Sequence, residues 1–590
     1  MTALWIAVLF LTLVPSARAA SSDQSSASGG KNFDGPAELP REYVRSSLKD
    51  TPAGGKLWMV QAGQSLEKVL AGASCGDIIQ LQAGATFSGN VLVPAKSCDD
   101  SHWIIIRTSA PDSSLPAEGT RLTPCFGGMS SLAGRPKLNC ASTANVLAKI
   151  EFNGSGGSGP LLFSAGANHY RLIGLEVTRT ESPSAASNLI LFLGSADHLV
   201  FDRMWIHGTA QGEAVRGIFL GQTRYVAIVD SFFSDFHCIS RTGSCVDSQA
   251  IAGGIGDGPM GPYKIVNNFL EASGENIIFG GGGATATPQD IEVRHNHMVK
   301  PLIWMKGQAG YVGGTNGNPF IIKNLFELKN AQRVLFEGNI LENCWGGFTQ
   351  VGFAIVLTPK NPGSCSSCQV TDVTIRYNSI HHVGAGLQIA NGLSDSGAAP
   401  LDGQRYSIHD IVIDDIDGAK YNGPGEFAQI SVSSGAPLLQ NLAINHVTAF
   451  PPHTLFIIGD MVKTSTAMKN FVFTNNIVNA GIDPVWSTGG GEANCAFHDI
   501  PLITFNTCFT NSRFTINAII DSPRSFSAAT WPAKNFFPAS AGAVRFANYN
   551  GGNGGDYHLQ SSSAYKSKGT DGKDLGADVD AIDSAIAGVE

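Results

Sequence analysis

With 590 residues, a formal net charge of −9 and only 15% charged side chains, the chain has no basic patch of the kind a nucleic-acid footprint requires. Its 69 glycines and its scarcity of Lys and Glu disfavour long helices and suit short strands closed by tight turns. A length prior would divide such a chain into several domains, but repeat proteins escape that prior.

The N-terminus, MTALWIAVLFLTLVPSARAA, has an apolar run from Ala3 to Val14, a Pro-Ser break and Ala17-Arg18-Ala19. This is a signal-peptide layout with an A-x-A cleavage site, although no Lys or Arg precedes the run. The run is short for a bilayer span, which takes about 20 apolar residues. Residues 1–19 are therefore expected as a signal peptide, and the protein as secreted, periplasmic or at the cell surface, with no membrane span after cleavage. Cysteine usage agrees with export. The local pairs are Cys75 with Cys98, Cys125 with Cys140, Cys238 with Cys245 and Cys495 with Cys508; Cys344, Cys365 and Cys368 remain, so one thiol is left over. Cys365-Ser-Ser-Cys368 reads as a loop disulfide, because a lone CxxC with no His at ligand spacing is weak as a metal motif.

Residues 20–56 begin Ser- and Gly-rich and are read as a disordered linker. Order is expected from LWMVQAG onward. Leu66, Val69 and Leu70 then fall on one helical face, as suits a short helix capping the open end of a stacked solenoid. From about residue 161 a repeat emerges. LLFSAG, LILFLG and GIFLGQ place Leu162, Ile190 and Ile218 at equal steps of 28, and QAIAGG, NIIFGG, NLFELKN, FAIVLT, LQIANG, AQISVSS and LFIIGD continue the set. Between them recurs a strand–bend–strand phrase with Asn at 268, 296, 339, 378, 445 and 476. Asn tolerates left-handed backbone, so the bend is placed at these residues, whose amides can hydrogen-bond from coil to coil.

Three short strands per period describe a solenoid and not a sandwich, which would show hairpin turns. The fold expected is all-β: a right-handed parallel β-helix of about ten or more coils over 57–520. Residues 521–590 form a loop-rich C-terminal segment packing on or capping it. Loops at 301–319, 359–371 and 392–405 interrupt the period, and solenoid insertions tend to gather on the binding face. Asp571, Asp574, Asp578 and Asp580 have no calcium-loop spacing and read as a solvated terminus.

IVNNFLEASGENIIFGG, NLFELKNAQRVLFEGNILEN and GTDGKDLGADVDAI resemble secreted bacterial proteins of the right-handed parallel β-helix, or pectate-lyase-like, superfamily, and the resemblance extends over roughly 57–582. It implies the fold and leaves the reaction open among polysaccharide lyases, polygalacturonase-type hydrolases and non-catalytic surface proteins. Neither the RxPxxR of the calcium pectate lyases nor the paired-Asp and Gly-His-Gly pattern of the polygalacturonases is present; Asp414-Asp415 lies within a strand phrase.

β-Elimination requires a neutralised uronate carboxylate, a base for the C5 proton and a stabilised enolate, hence Lys, Arg or His beside amides or a metal. A hydrolase requires two facing carboxylates. The middle coils favour the first set. Strand alternation puts Glu327 and Lys329 outward beside the 301–319 loop, with His297 and Lys300 at its root, and these four are the candidate catalytic groups. The bland alternatives are a surface ion pair for Glu327 and Lys329, a solvated Lys300 and a bend-stacking His297. Trp304, Gln249, Asn276, His381, His382 and Gln388 are candidate substrate contacts, with packing beneath the loop the competing role for Trp304. Asp247 and Glu275 are the candidate ligands for calcium, the one cofactor suggested, against turn roles. The expected partner is a polysaccharide and the expected state a monomer. The favoured function is a polysaccharide lyase on a uronate-containing glycan; the alternatives are a non-catalytic glycan-binding or surface solenoid and a polygalacturonase-like hydrolase.

Overall fold

The structure, a computed structural model, describes residues 31–590 apart from 155, 183, 240–246, 362, 364 and 461–467. The signal peptide expected over 1–19, and the Cys245 expected to pair with Cys238, lie outside the described residues.

Apart from three small hairpins, the strands pair in parallel with their equivalents one coil on, which makes the molecule a parallel β-helix. Among the described residues one sheet has twelve strands, from Val91–Val93 to Val485–Ser487. A larger one of 27 unites two further ladders, because Asp402–Ile416 and Gln440–Ala449 run through both without a break. Like residues stack along the axis: Ile190, Ile218, Ile251, Ile277, Phe326 and Ile355 form one buried column. The partner of Ile190 on the preceding coil is Leu161 and not Leu162, which pairs with Leu191 on the outer face. A one-residue slip changes faces, and two consecutive leucines conceal it. At the N-terminal end, helix Leu66–Gly72, whose Ser65 side chain accepts from Lys68 N, buries Leu66 and Leu70 in the same core.

The asparagines form the expected ladder inside the bend. Nδ2 of Asn268, Asn296 and Asn339 each donates to Oδ1 of the next asparagine, ending at Asn378, at 3.0 Å. The other Nδ2 hydrogen of each goes to a carbonyl of the preceding coil, so buried amides are satisfied without charge. Two details differ from expectation. The left-handed residue is the one before the asparagine (Asn267, φ 58°; His295, 56°; Tyr377, 55°; Asn475, 64°), which turns the chain so that the next side chain points inward. Asn445 stands two positions early: Val447 N donates to Asn476 Oδ1, while Asn445 Oδ1 accepts from Thr474 and Asn475.

Residues 31–56, expected within a disordered linker, lie ordered along the outside of the coils. Asp34 pairs with Arg376 at 2.7 Å and with His409 at 3.0 Å, and the backbone N–H groups of Glu38 and Arg41 donate to Asp372 and Asp290. Polar composition suggested disorder, but the segment's partners are distant in sequence, at separations of 249 to 375. At the other end, Val544, Phe546, Tyr557, Tyr565, Leu575 and Ile582 pack against Val412, Phe450 and Ile477 on the outer side of the helix. Disulfides join Cys75 to Cys98, Cys125 to Cys140, Cys365 to Cys368 and Cys495 to Cys508; the left-over thiol is the buried Cys344. No helix among the described residues is long and apolar enough to cross a membrane.

Candidate functional site

Register on the twelve-stranded sheet carries side chains of successive coils into rows. Ile278, Glu327, Val356, Gln388 and Gln429 share one outward row, because Glu327 alternates with the core residues Phe326 and Leu328. Arg216, Gln249 and Glu275 form another, nearer the start of their strands. Lys323 and Asp247, from the segments leading into these strands, close the group. Lys323 Nζ lies 3.3 Å from Asp247 Oδ2 and 3.4 Å from Glu275 Oε1. Gln249 Nε2 donates to Glu275 Oε2 at 2.8 Å, Asn324 Nδ2 donates to Glu327 Oε2 at 2.6 Å, and Lys329 Nζ is ion-paired with Glu327 Oε1. Glu327 and Lys329 are therefore no solvated surface pair.

Burial sorts these groups into two tiers. The Glu275 and Glu327 side chains are 1% exposed, whereas Asp247, Lys329 and Lys323 are 22%, 21% and 16% exposed and reach the surface. Burial and the adjacent Glu275 charge push the Asp247 carboxyl well above the usual range, against the pull of Lys323. Burial also raises Glu327, with Lys329 opposing and Glu275 adding to the rise. Glu275 goes the other way: burial would raise it, but the Lys323 ammonium and hydrogen bonds from Asp247, Glu327 and Gln249 hold it below the carboxylate range. Burial works against the charge of both lysines and is outweighed, for Lys323 chiefly by Glu275 and Asp247 and for Lys329 by Glu327. The site thus keeps two ammonium groups charged at the surface beside a carboxyl whose proton affinity is raised.

Of the candidates from sequence, Glu327, Lys329, Gln249, Asp247 and Glu275 converge here, and Gln388 lies farther along the same outer face, where its Nε2 donates to Gln429 Oε1 at 3.1 Å. The others do not. Lys300 is fully enclosed; its ammonium donates to the carbonyls of Ala272 and Gly274 and to Asn276 Oδ1, and burial pushes it down to about 8. With three donors spent inside a corner of the coil, it is a strut and no base for a substrate. Asn276 is the other half of that strut, with Nδ2 on the carbonyls of Leu270 and Val299. Trp304 is 1% exposed and packs edge-on against Phe320 and His237, so its ring offers no sugar platform. His297, His381 and His382 belong to the larger sheet. His297 and His381 both meet Glu342, at 2.7 and 3.2 Å, and His382 faces Asp415 at 3.7 Å. Arg216 and Lys323 were missed; the one signal for Lys323 is the single cation at the end of the apolar run PFII.

Asp247 and Glu275 do not fit calcium as they stand. The Lys323 ammonium lies against both carboxylates, so the charge a dication would neutralise is already met, and binding would require its displacement. A cleft of about 570 Å³ is lined by Glu181, Gln211, Glu213 and the loop residues Tyr311, Gly314 and Asn316.

No family model and no curated protein matches the chain. Among solved structures, an alginate lyase from Paenibacillus sp. is 11% identical over 74% of this chain and 96% of its own, with a TM-score of 0.28. A pectate lyase is 11% identical over 90% and 97%, with a TM-score of 0.33. A Yersinia enterocolitica family 28 exopolygalacturonase is 11% identical over 82% and 78%, with a TM-score of 0.31. Likenesses this remote say nothing of the reaction. The fold rests on the chain's own strand register: this is a parallel β-helix protein.

Proposed function

We propose that the protein is a carbohydrate-active enzyme of an oxidising, extracytoplasmic compartment that cleaves a uronate-containing polysaccharide by β-elimination at the Asp247–Lys323–Lys329 surface of the charged cluster. The observation that carries this reading is the surface-reaching Lys323 paired with the raised Asp247 carboxyl, with a second surface-reaching ammonium, Lys329, held by Glu327 in the same cluster. Lys323 neutralises the uronate carboxylate and the enolate that forms from it. Asp247 takes the C5 proton, its raised affinity making it a better base than an exposed carboxylate. Lys329 donates a proton to the departing glycosidic oxygen. Glu275 and Glu327, too deep to touch a sugar, hold the two lysines charged and in place.

The second reading, a glycoside hydrolase, needs two carboxyls at the scissile bond, and of the three in this cluster only Asp247 reaches the surface, which favours elimination. Product chemistry separates the two. Incubation with a panel of polyuronates is expected to release ultraviolet-absorbing unsaturated ends. New reducing ends without that absorbance would favour hydrolysis, and glycan retention with no product would leave a binding solenoid.

A further inference from the structure

Away from the charged cluster, the first coils carry a second constellation. We infer that Asp100, His169 and His198 form a binding site for one divalent transition-metal ion, zinc by preference. His169 and His198 occupy the same position on consecutive coils, each second or third in its strand, with Asn168 in register with Asp197. Both are left-handed, with φ of 55° and 51°, which swings both rings outward on one side. The imidazoles stack with centroids 4.5 Å apart and planes 4° from parallel.

The hydrogen bonds select the ligand atoms. His169 Nδ1 lies 3.0 Å from Asn168 Oδ1, and His198 Nδ1 lies 2.5 Å from Asp197 Oδ1. These oxygens accept, so each Nδ1 carries a proton; Asp100 Oδ1 accepts at His169 Nε2 as well, and a metal ion would take the place of the proton between them. Asp100 Oδ1 stands 3.2 Å from His169 Nε2, and the three ligand atoms lie within 4.8 Å of one another. Two imidazoles and one carboxylate suit zinc, nickel or copper, whereas calcium and magnesium take oxygen donors.

The same outward position on later coils is filled differently. Asp290 pairs with Arg333 at 2.7 Å, Asp372 with Arg405 at 2.6 Å, and Asn441, Asn470 and Asn511 form an amide chain. Those pairs are self-satisfied; the histidine pair instead stands beside the exposed Asp100 carboxylate, which meets His169 Nε2. Parallel rings aim their lone pairs side by side, so loading requires one ring to turn. His198, 31% exposed, turns about its soft χ2 at the cost of its Asp197 contact and its stack on Tyr225.

The test is calorimetric titration of chelator-stripped, full-length protein with zinc chloride. One zinc per chain is expected, weakened about tenfold or more in His198→Ala and in Asp100→Ala, two surface changes that leave the core intact. Copper is expected to quench Trp103, whose ring lies 5.0 Å from that of His169, and to do so less in His198→Ala. No zinc uptake by the wild type, or uptake unchanged in both variants, would overturn the assignment.

Discussion

Two polar stacks run through the same middle coils and obey opposite rules. The asparagine ladder from 268 to 378 is uncharged and closed, with each amide donating both hydrogens and receiving others in return. The cluster around Glu275 is charged and open: Gln249 Oε1, Arg216 Nε and Asn324 Oδ1 are buried without a hydrogen bond among the described residues. A structural polar stack is expected to satisfy itself, since an unmet buried group costs about 1–3 kcal/mol. An ionic cluster left partly unmet contributes poorly to stability, and hydrophobic replacement of such groups is often neutral or better. The difference teaches where to look for function: in the stack that the fold would be better without.

The largest effect should come from the surface-reaching members of the open stack. Asp247→Asn is expected to lower turnover about a thousandfold with little change in thermal midpoint, checked by product release and melting of the same preparation. The pH–rate profile sharpens this. Asp247 acts as base only when ionised, and its carboxyl is raised, so activity should climb at higher pH than it would for an exposed aspartate.

The closed stack should respond in the reverse sense. Asn339→Ala strands its partners on both neighbouring coils and is expected to cost on the order of 3 kcal/mol in denaturant unfolding. A comparable effect of opposite sign is expected at Glu426. This buried carboxyl is pushed up to about 8 by burial alone, from an ordinary 4.5. A raised folded pKa means that stability is fully present below about 4.5 and falls as pH rises toward 8. Glu426→Gln should remove that slope and stabilise the protein near pH 8 by on the order of 3 kcal/mol, read from melts across pH. The smallest effect belongs to Lys360 and Asp395, an exposed pair at 3.1 Å; Lys360→Ala should shift stability by about 0.5 kcal/mol or less.

The fold was legible because a solenoid writes its period into the chain: the isoleucine column and the asparagine bends recur visibly. What escaped was register at single-residue resolution. Leu161 and Leu162 are chemically alike, and Asn445 mimics a ladder residue from two positions away. About half of the site was legible, through strand alternation at Glu327 and Lys329 and register at Gln249 and Glu275. Lys300 and Trp304 misled because closeness in sequence to a long loop does not reveal whether a side chain points under it or over it. Lys323 escaped because it precedes its strand, where no periodicity applies.

The division between scaffold and site is tested most directly by measuring Lys329→Ala and Asn339→Ala side by side, for product release from a polyuronate and for thermal midpoint. Lys329→Ala is expected to lose about a hundredfold or more in turnover while melting close to the wild type, because Glu327, already raised by burial, takes up a proton when its partner is removed. Asn339→Ala is expected to melt well below it while its folded fraction turns over normally. Wild-type turnover by Lys329→Ala would contradict the placement of the site.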